Sequence, residues 1–150
     1  MKGYSFNYDT EKHAVARGSG LNISPKHAIE VCNAIKGWNI ERAKSYLERV
    51  VLQKQAVPFK KFNGKVGHRK GDGFGPGRYP KKAAAAILKT IESAESNAEN
   101  LGKDVELLWI RHIAASRGAV TMSRFARAYG RTTAKRRESV NLEIILEERE

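Results

Sequence analysis

The chain has a single cysteine, four prolines and no apolar run near the roughly 20 residues needed to cross a bilayer. One thiol, Cys32, excludes an internal disulfide, and its place in an apolar helical pattern is that of a buried residue in a reducing compartment. Residues Met1 to Gly20 lack the apolar centre of a signal peptide, so the expected location is cytoplasmic, with neither export nor membrane contact. His13, His27, His68 and His112 are scattered at no zinc spacing, so neither a metal nor a cofactor is expected. Acidic residues sit on helix surfaces and along Glu143 to Glu150, and Asp72 stands alone in a glycine loop. Without paired carboxylates or a nucleophile beside a base, no enzyme is expected. Gly71, Gly73, Gly75 and Gly77 do not form a nucleotide-binding loop, because Pro76 interrupts them and no Gly-Lys-Ser or Gly-Lys-Thr follows.

Acid is missing most conspicuously between Arg117 and Arg137. Arg117, Arg124, Arg127, Arg131, Lys135, Arg136 and Arg137 recur there with no carboxylate among them, in a chain of formal net charge +12. That balance points to a polyanion partner. Strand-like segments flank the stretch, Val105 to Ala115 and Val140 to Leu146, so it reads as a hairpin arm over about residues 115–138. Such a ribbon has no core of its own and is marginal alone in water, and like charges on paired strands oppose it. Something negative is needed to hold it.

The 150 residues fit one domain with extensions. A short strand is expected around His13 to Arg17. Ser24 and Pro25 start a first helix, with Ala28, Val31, Cys32 and Ile35 on its buried face and Gly37 at its end. Asn39 caps a second helix that buries Ile40, Ala43, Leu47, Val50 and Val51 and stops before Pro58. The third begins at Pro80, carries Ala84, Ile87, Leu88, Ile91, Ala94, Ala98 and Leu101 as its apolar stripe, and stops at Gly102. Lys81 and Lys82 at its start oppose the helix dipole, which a polyanion at that end would explain. Of the two long strands, Val105 to Ile113 is apolar on both faces and is expected to be central, with Trp109 in the core. Val140 to Leu146 alternates, as a strand with one wet face does. Trp38 reads as a partly buried hinge residue. The fold class is α+β, helices packed on an antiparallel sheet.

A second basic region lies in the insertion over about residues 56–79. Lys60, Lys61, Lys65, His68, Arg69, Lys70 and Arg78 stand there among six glycines, interleaved with Phe59, Phe62, Phe74 and Tyr79. Glycine permits close backbone approach, cations neutralise phosphates, and aromatic faces stack on unpaired bases.

Several of these residues carry a resemblance. Ala16-Arg17-Gly18, Ser24-Pro25-Lys26, the helix Ala83 to Asn97 with its run Ser93 to Glu99, and above all Arg117 to Arg131 resemble the large-subunit ribosomal protein family numbered twenty-two, in its archaeal and eukaryotic branch. The resemblance covers nearly the whole chain. It implies three helices on a small three-stranded antiparallel sheet with a long protruding β-hairpin. It also implies a structural role: a body on the outer surface of the large subunit near the peptide exit, and a hairpin running inward through rRNA to line the nascent-chain tunnel. By position, Met122, Ser123, Arg124, Phe125, Ala126 and Arg127 would form or adjoin the tip.

Together, residues and resemblance give the expected rRNA contacts as Arg17, Lys60, Lys61, Lys65, His68, Arg69, Lys70, Arg78, Lys81, Lys82, Arg111, Arg117, Arg124, Arg127, Tyr129, Arg131, Lys135, Arg136 and Arg137. The expected partners are large-subunit rRNA, neighbouring large-subunit proteins and the nascent peptide, with the chain a monomer in the ribosome. About 10 residues per arm strand, at roughly 3.3 Å each, give a reach near 33 Å. Two rivals remain open at this point: an architectural DNA- or RNA-binding protein with a basic β-arm outside the ribosome, and an RNA-processing enzyme, the latter disfavoured by the missing acid–base cluster.

Overall fold

A computed structural model describes residues 3–10, 12–71 and 74–149. The expectations attached to Asp72 and Gly73, to the first two residues and to Glu150 lie outside the described residues.

Helix ends follow local chemistry. α1 (Pro25–Ile35) opens with proline, whose missing N–H costs nothing in a first turn. Ser24 holds the N-cap position in extended geometry, but its hydroxyl makes no capping bond. Gly37, at φ +78°, turns the chain out of α1. In α2 (Ile40–Val51), Asn39 Oδ1 accepts the Glu41 N–H at 2.9 Å while its Nδ2 donates to the Glu106 carbonyl at 3.0 Å. The start of α2 and the turn that precedes β4 are thereby tied through one side chain. α3 (Lys81–Asn100) follows Pro80 and buries Ala84, Ile87, Ile91, Ala94 and Ala98. Leu101, expected in that stripe, lies beyond the last helical residue and is exposed.

The main sheet contains β1 (His13–Leu21), β4 (Leu108–Ala126) and β5 (Thr132–Glu148), antiparallel in the order β1-β5-β4. This corrects the expected arrangement, since β5 is central and β4 is an edge. Apolar residues on both faces of β4 do not require a strand on each side, because the turn between α1 and α2 covers its free edge. Gly37 N–H donates to the Ile110 carbonyl at 3.1 Å, and Ile110 N–H donates to the Trp38 carbonyl at 2.9 Å. Edge groups that would otherwise template aggregation are occupied. Residues Val105–Leu107 form a short 3-10 turn rather than the start of that strand. Trp109 is half-buried rather than in the core: it alternates with the buried Leu108 and Ile110 and lies beneath the Arg149 guanidinium, 5.7 Å from the ring centroid. Trp38 is partly buried, as expected, with the Arg42 guanidinium 4.3 Å from its ring centroid.

All three helices contribute to one core, where Val31, Ile35, Leu47, Ile87 and Ile91 meet Ile110, Leu142, Ile144 and Leu146. The N-terminal segment crosses to β4 and β5. There the Ser5 backbone and hydroxyl donate to Glu143, and the Phe6 ring stacks on His112 at 5.1 Å. A two-residue ladder, β2 (Val57–Pro58) with β3 (Gly77–Arg78), closes the neck of the basic insertion.

Past the core, β4 and β5 continue as the arm. A register shift between Arg117 and Val120 marks its root, and pairing then runs from Val120 opposite Glu138 to Ala126 opposite Thr132. The turn at Ala128–Gly130 closes it, with the Arg127 N–H donating to the Arg131 carbonyl at 2.8 Å.

Candidate nucleic-acid interface

Directly opposed residues in a β-ladder share a face, and neighbours along a strand alternate. Thr121, Ser123 and Phe125 therefore share one face of the arm with Arg137, Lys135 and Thr133. Phe125 is flanked there by the Arg127 guanidinium and the Lys135 ammonium, 5.7 and 5.1 Å from its ring centroid, and Arg127 Nε donates to Thr133 Oγ1 at 2.8 Å. The other face holds Val120, Met122 and Arg124 opposite Glu138, Arg136 and Ala134. Cations stand on both faces, as suits insertion between polyanionic surfaces rather than contact along one side.

The turn itself is Ala128–Gly130, so Met122 to Ala126 lie on the strand leading to it. Tyr129 is its outermost ring, 94% exposed and held at φ +57°. Left-handed backbone is rare for a bulky residue and costs about 1–2 kcal/mol.

At the root, the arm meets two helix starts. A cleft of about 980 Å³ runs between the start of α1 at Ser24 and Lys26, the start of α3 at Lys81 and Lys82, and the strand pair at Arg117, Arg136 and Arg137. Neither helix start has a side-chain cap or an acidic first turn, so unsatisfied N–H groups and the positive dipole ends add to the lysines. Glu138 lies just beyond the acid-free stretch and pairs with Arg117 Nε at 3.6 Å and Arg136 Nη2 at 2.8 Å. It orders two guanidinium groups at the cleft wall without cancelling the surplus of cations.

The basic insertion is anchored from within. Glu30 in α1 is 1% exposed, and its carboxylate accepts three successive backbone N–H groups: Lys60 on Oε2 at 3.1 Å, and Lys61 and Phe62 on Oε1 at 2.8 and 2.6 Å. A buried charge is tolerated when its lone pairs are filled in this way. Arg69 folds back on its own loop, with Nε donating to the Gly77 carbonyl at 3.3 Å and the guanidinium 5.3 Å from the Tyr79 ring centroid. The side chains of Lys60, Lys61, Lys65, His68 and Lys70 remain exposed.

The residues expected to contact RNA thus fall into separate groups. Lys81, Lys82, Arg117, Arg136 and Arg137 come together at the cleft, while Arg124, Arg127, Tyr129, Arg131 and Lys135 stay on the arm. Arg78 lies beside the insertion's neck. Arg17 stands opposite Glu143 in the sheet register, and Arg111 pairs with Glu147 at 3.7 Å, so neither joins the cleft. Sequence reasoning missed Lys26, His27, Glu30 and Glu138. The single acid in α1 was the one available signal for Glu30. Among the described residues no group of metal-ligating side chains occurs.

The sequence profile of the family described as ribosomal protein L22p/L17e matches residues 16–147, from β1 through the insertion, cleft and arm. The chain belongs to this family. L22p/L17e relatives named large ribosomal subunit protein uL22 span nearly its whole length. The one from Methanoculleus marisnigri is 48% identical over 97% of this chain and 96% of its own. That from Methanosphaera stadtmanae is 48% identical over 92% and 90%, and that from Methanopyrus kandleri 47% over 94% and 90%. The L22p/L17e match spans both the insertion and the arm.

Proposed function

We propose that this protein is a structural constituent of the large ribosomal subunit, that it binds large-subunit rRNA and helps its assembly, and that its arm lines the nascent-peptide tunnel. The observation that carries the reading is the continuity of positive surface from the cleft at the helix starts along both faces of the arm. Membership of the L22p/L17e family, and relatives named as large-subunit proteins, support the same assignment.

Mechanistically, the body presents a rigid basic cleft, and the arm extends from it as the same two strands. Arginine suits this task because its planar fork bridges phosphates, stacks on bases and stays charged when surrounded. Binding releases condensed counterions, which favours association at low salt and weakens it as salt rises. The turn bearing Tyr129 would reach furthest, towards the nascent peptide, with Met122 to Arg127 beside it.

The deciding experiment is sedimentation of tagged protein with ribosomal subunits. Co-migration with the large subunit, resisting a moderate-salt wash, is the expected result. Free protein at the top of the gradient, or stronger binding to duplex DNA than to folded rRNA fragments at matched salt, would defeat the reading.

A further inference from the structure

Beside the basic cleft lies a second cavity that the charge pattern alone does not explain. Its volume is about 380 Å³, towards the small end of the roughly 300–1,000 Å³ of ligand pockets. Ser24, Lys26 and His27 line both it and the cleft, so the two adjoin across these residues. The far wall is aromatic, formed by Phe59 and Phe62. Lys26 and Lys61 each place their ammonium 5.8 Å from the Phe62 ring centroid, and His27 meets Phe59 edge-on at 5.4 Å.

We propose that this cavity receives one unstacked RNA base against Phe62 while the adjoining cleft grips the flanking phosphates. The inference rests on the RNA-binding reading above and adds a base-sized subsite to it. A duplex is the wrong occupant, since its paired and stacked bases present no free face to the Phe62 ring. An extruded base fits because it offers a flat apolar surface to Phe62 while its own backbone stays among Lys81, Lys82 and Arg137. Burial, and then the nearby Arg78 charge, lowers the His27 pKa, which favours the neutral ring in the free protein. A neutral imidazole carries one donor and one acceptor, which suits a polar base edge.

Glu30 is the positioning residue of this subsite. Its carboxylate holds the Lys61 and Phe62 backbone, and that sets where the Phe62 ring stands. The loop wall is therefore anchored to α1 before any nucleic acid arrives.

The test uses the full chain and two short single-stranded RNAs. One carries a fluorescent adenine analogue at a central position, and the other an abasic site there. Stacking on an aromatic ring should make the intact RNA bind about tenfold more tightly than the abasic one. Phe62→Leu should abolish that preference, whereas Tyr8→Ala, at an exposed ring of the N-terminal segment, should leave it. Equal affinity of the unaltered chain for the two RNAs overturns the base pocket whatever the variants do. If Lys81→Gln with Arg137→Gln still weakens both RNAs in that event, the RNA-binding reading stands without the pocket. Absence of binding to either RNA at moderate salt defeats both.

Discussion

Gly118 faces Ser139 so closely at the root of the arm that a Cβ on the glycine would lie 2.5 Å from the serine Oγ. That hydroxyl is not free to swing away without loss, because it donates to the Ala119 carbonyl at 3.0 Å. The register shift between Arg117 and Val120 therefore rests on a missing side chain opposite a fixed one.

Gly118→Ala should displace the Ser139 hydroxyl and cost about 1 kcal/mol, the scale of one hydrogen bond. Removing the obstacle in the double variant with Ser139→Ala should leave less additional loss than the two single changes summed. Strict additivity in a urea-denaturation cycle would mean that the two residues do not oppose each other.

Charge on the arm is expected to act on binding and not on folding. Replacing Arg124, Arg127 and Arg131 together by glutamine should flatten the dependence of log affinity on log salt by about three, one for each lost phosphate contact. The Tm should stay that of the parent chain, because these side chains are exposed and lie outside the core. An unchanged salt slope, with undiminished incorporation into large subunits, counts against the arm as an RNA-binding element.

Glu30→Gln exchanges an all-acceptor carboxylate for a group with one acceptor oxygen, leaving part of the Lys60 to Phe62 backbone unsatisfied. A loss on the order of 2–3 kcal/mol in unfolding free energy is expected. If the base subsite exists, the same variant should lose discrimination against the abasic RNA while keeping its salt slope. A stability equal to the parent's would show that the buried carboxylate does not hold the loop.

The N-terminal segment should detach in acid. Burial disfavours the ionised Glu143, but donors from Ser5 and His112 outweigh it and hold the carboxyl below its ordinary value of 4.5. A lowered folded-state pKa means that the unfolded chain binds the proton first. The contribution is therefore full above the ordinary value and disappears as pH falls through the lowered one. The unfolding free-energy gap between the parent and Glu143→Gln should accordingly shrink as pH drops below about 4.5. A gap constant across that window would rule out this linkage.

Amide exchange should separate body from arm. In the free protein, residues 118–133 are expected to exchange quickly, since only a two-stranded ribbon protects them. RNA should slow them. Strong protection before RNA is added would mean that the ribbon is stable unaided.

Local chemistry made much of this fold legible. Pro25, Gly37, Asn39 and Gly102 mark helix boundaries through effects that act within a turn, and the alternation from Val140 to Leu146 identifies a strand, although the face expected to be wet is covered by the N-terminal segment and buries Ile145. Strand order was less accessible, because the apolar faces of β4 are equally compatible with a central place and with an edge covered by Gly37 and Trp38. The basic residues of the candidate site were visible as types, but their grouping was not. Nothing in the spacing of Lys26, Lys81 and Arg137 records that three separated segments converge on one cleft. Glu30 was hidden for the same reason, since its partners are backbone groups some thirty residues away, and backbone leaves no mark in the composition.

Because β4 and β5 run from core to turn as one hairpin, a pull on the turn along the strand axis draws both strands the same way and loads the β5–β1 ladder and the β4 contacts with Gly37 and Trp38 in shear. Their hydrogen bonds resist such a load together, whereas peeling would break them one at a time. The body thus works as the head of a nail: traction on the far end presses on many bonds at once, and the finger can be tugged without unravelling what secures it.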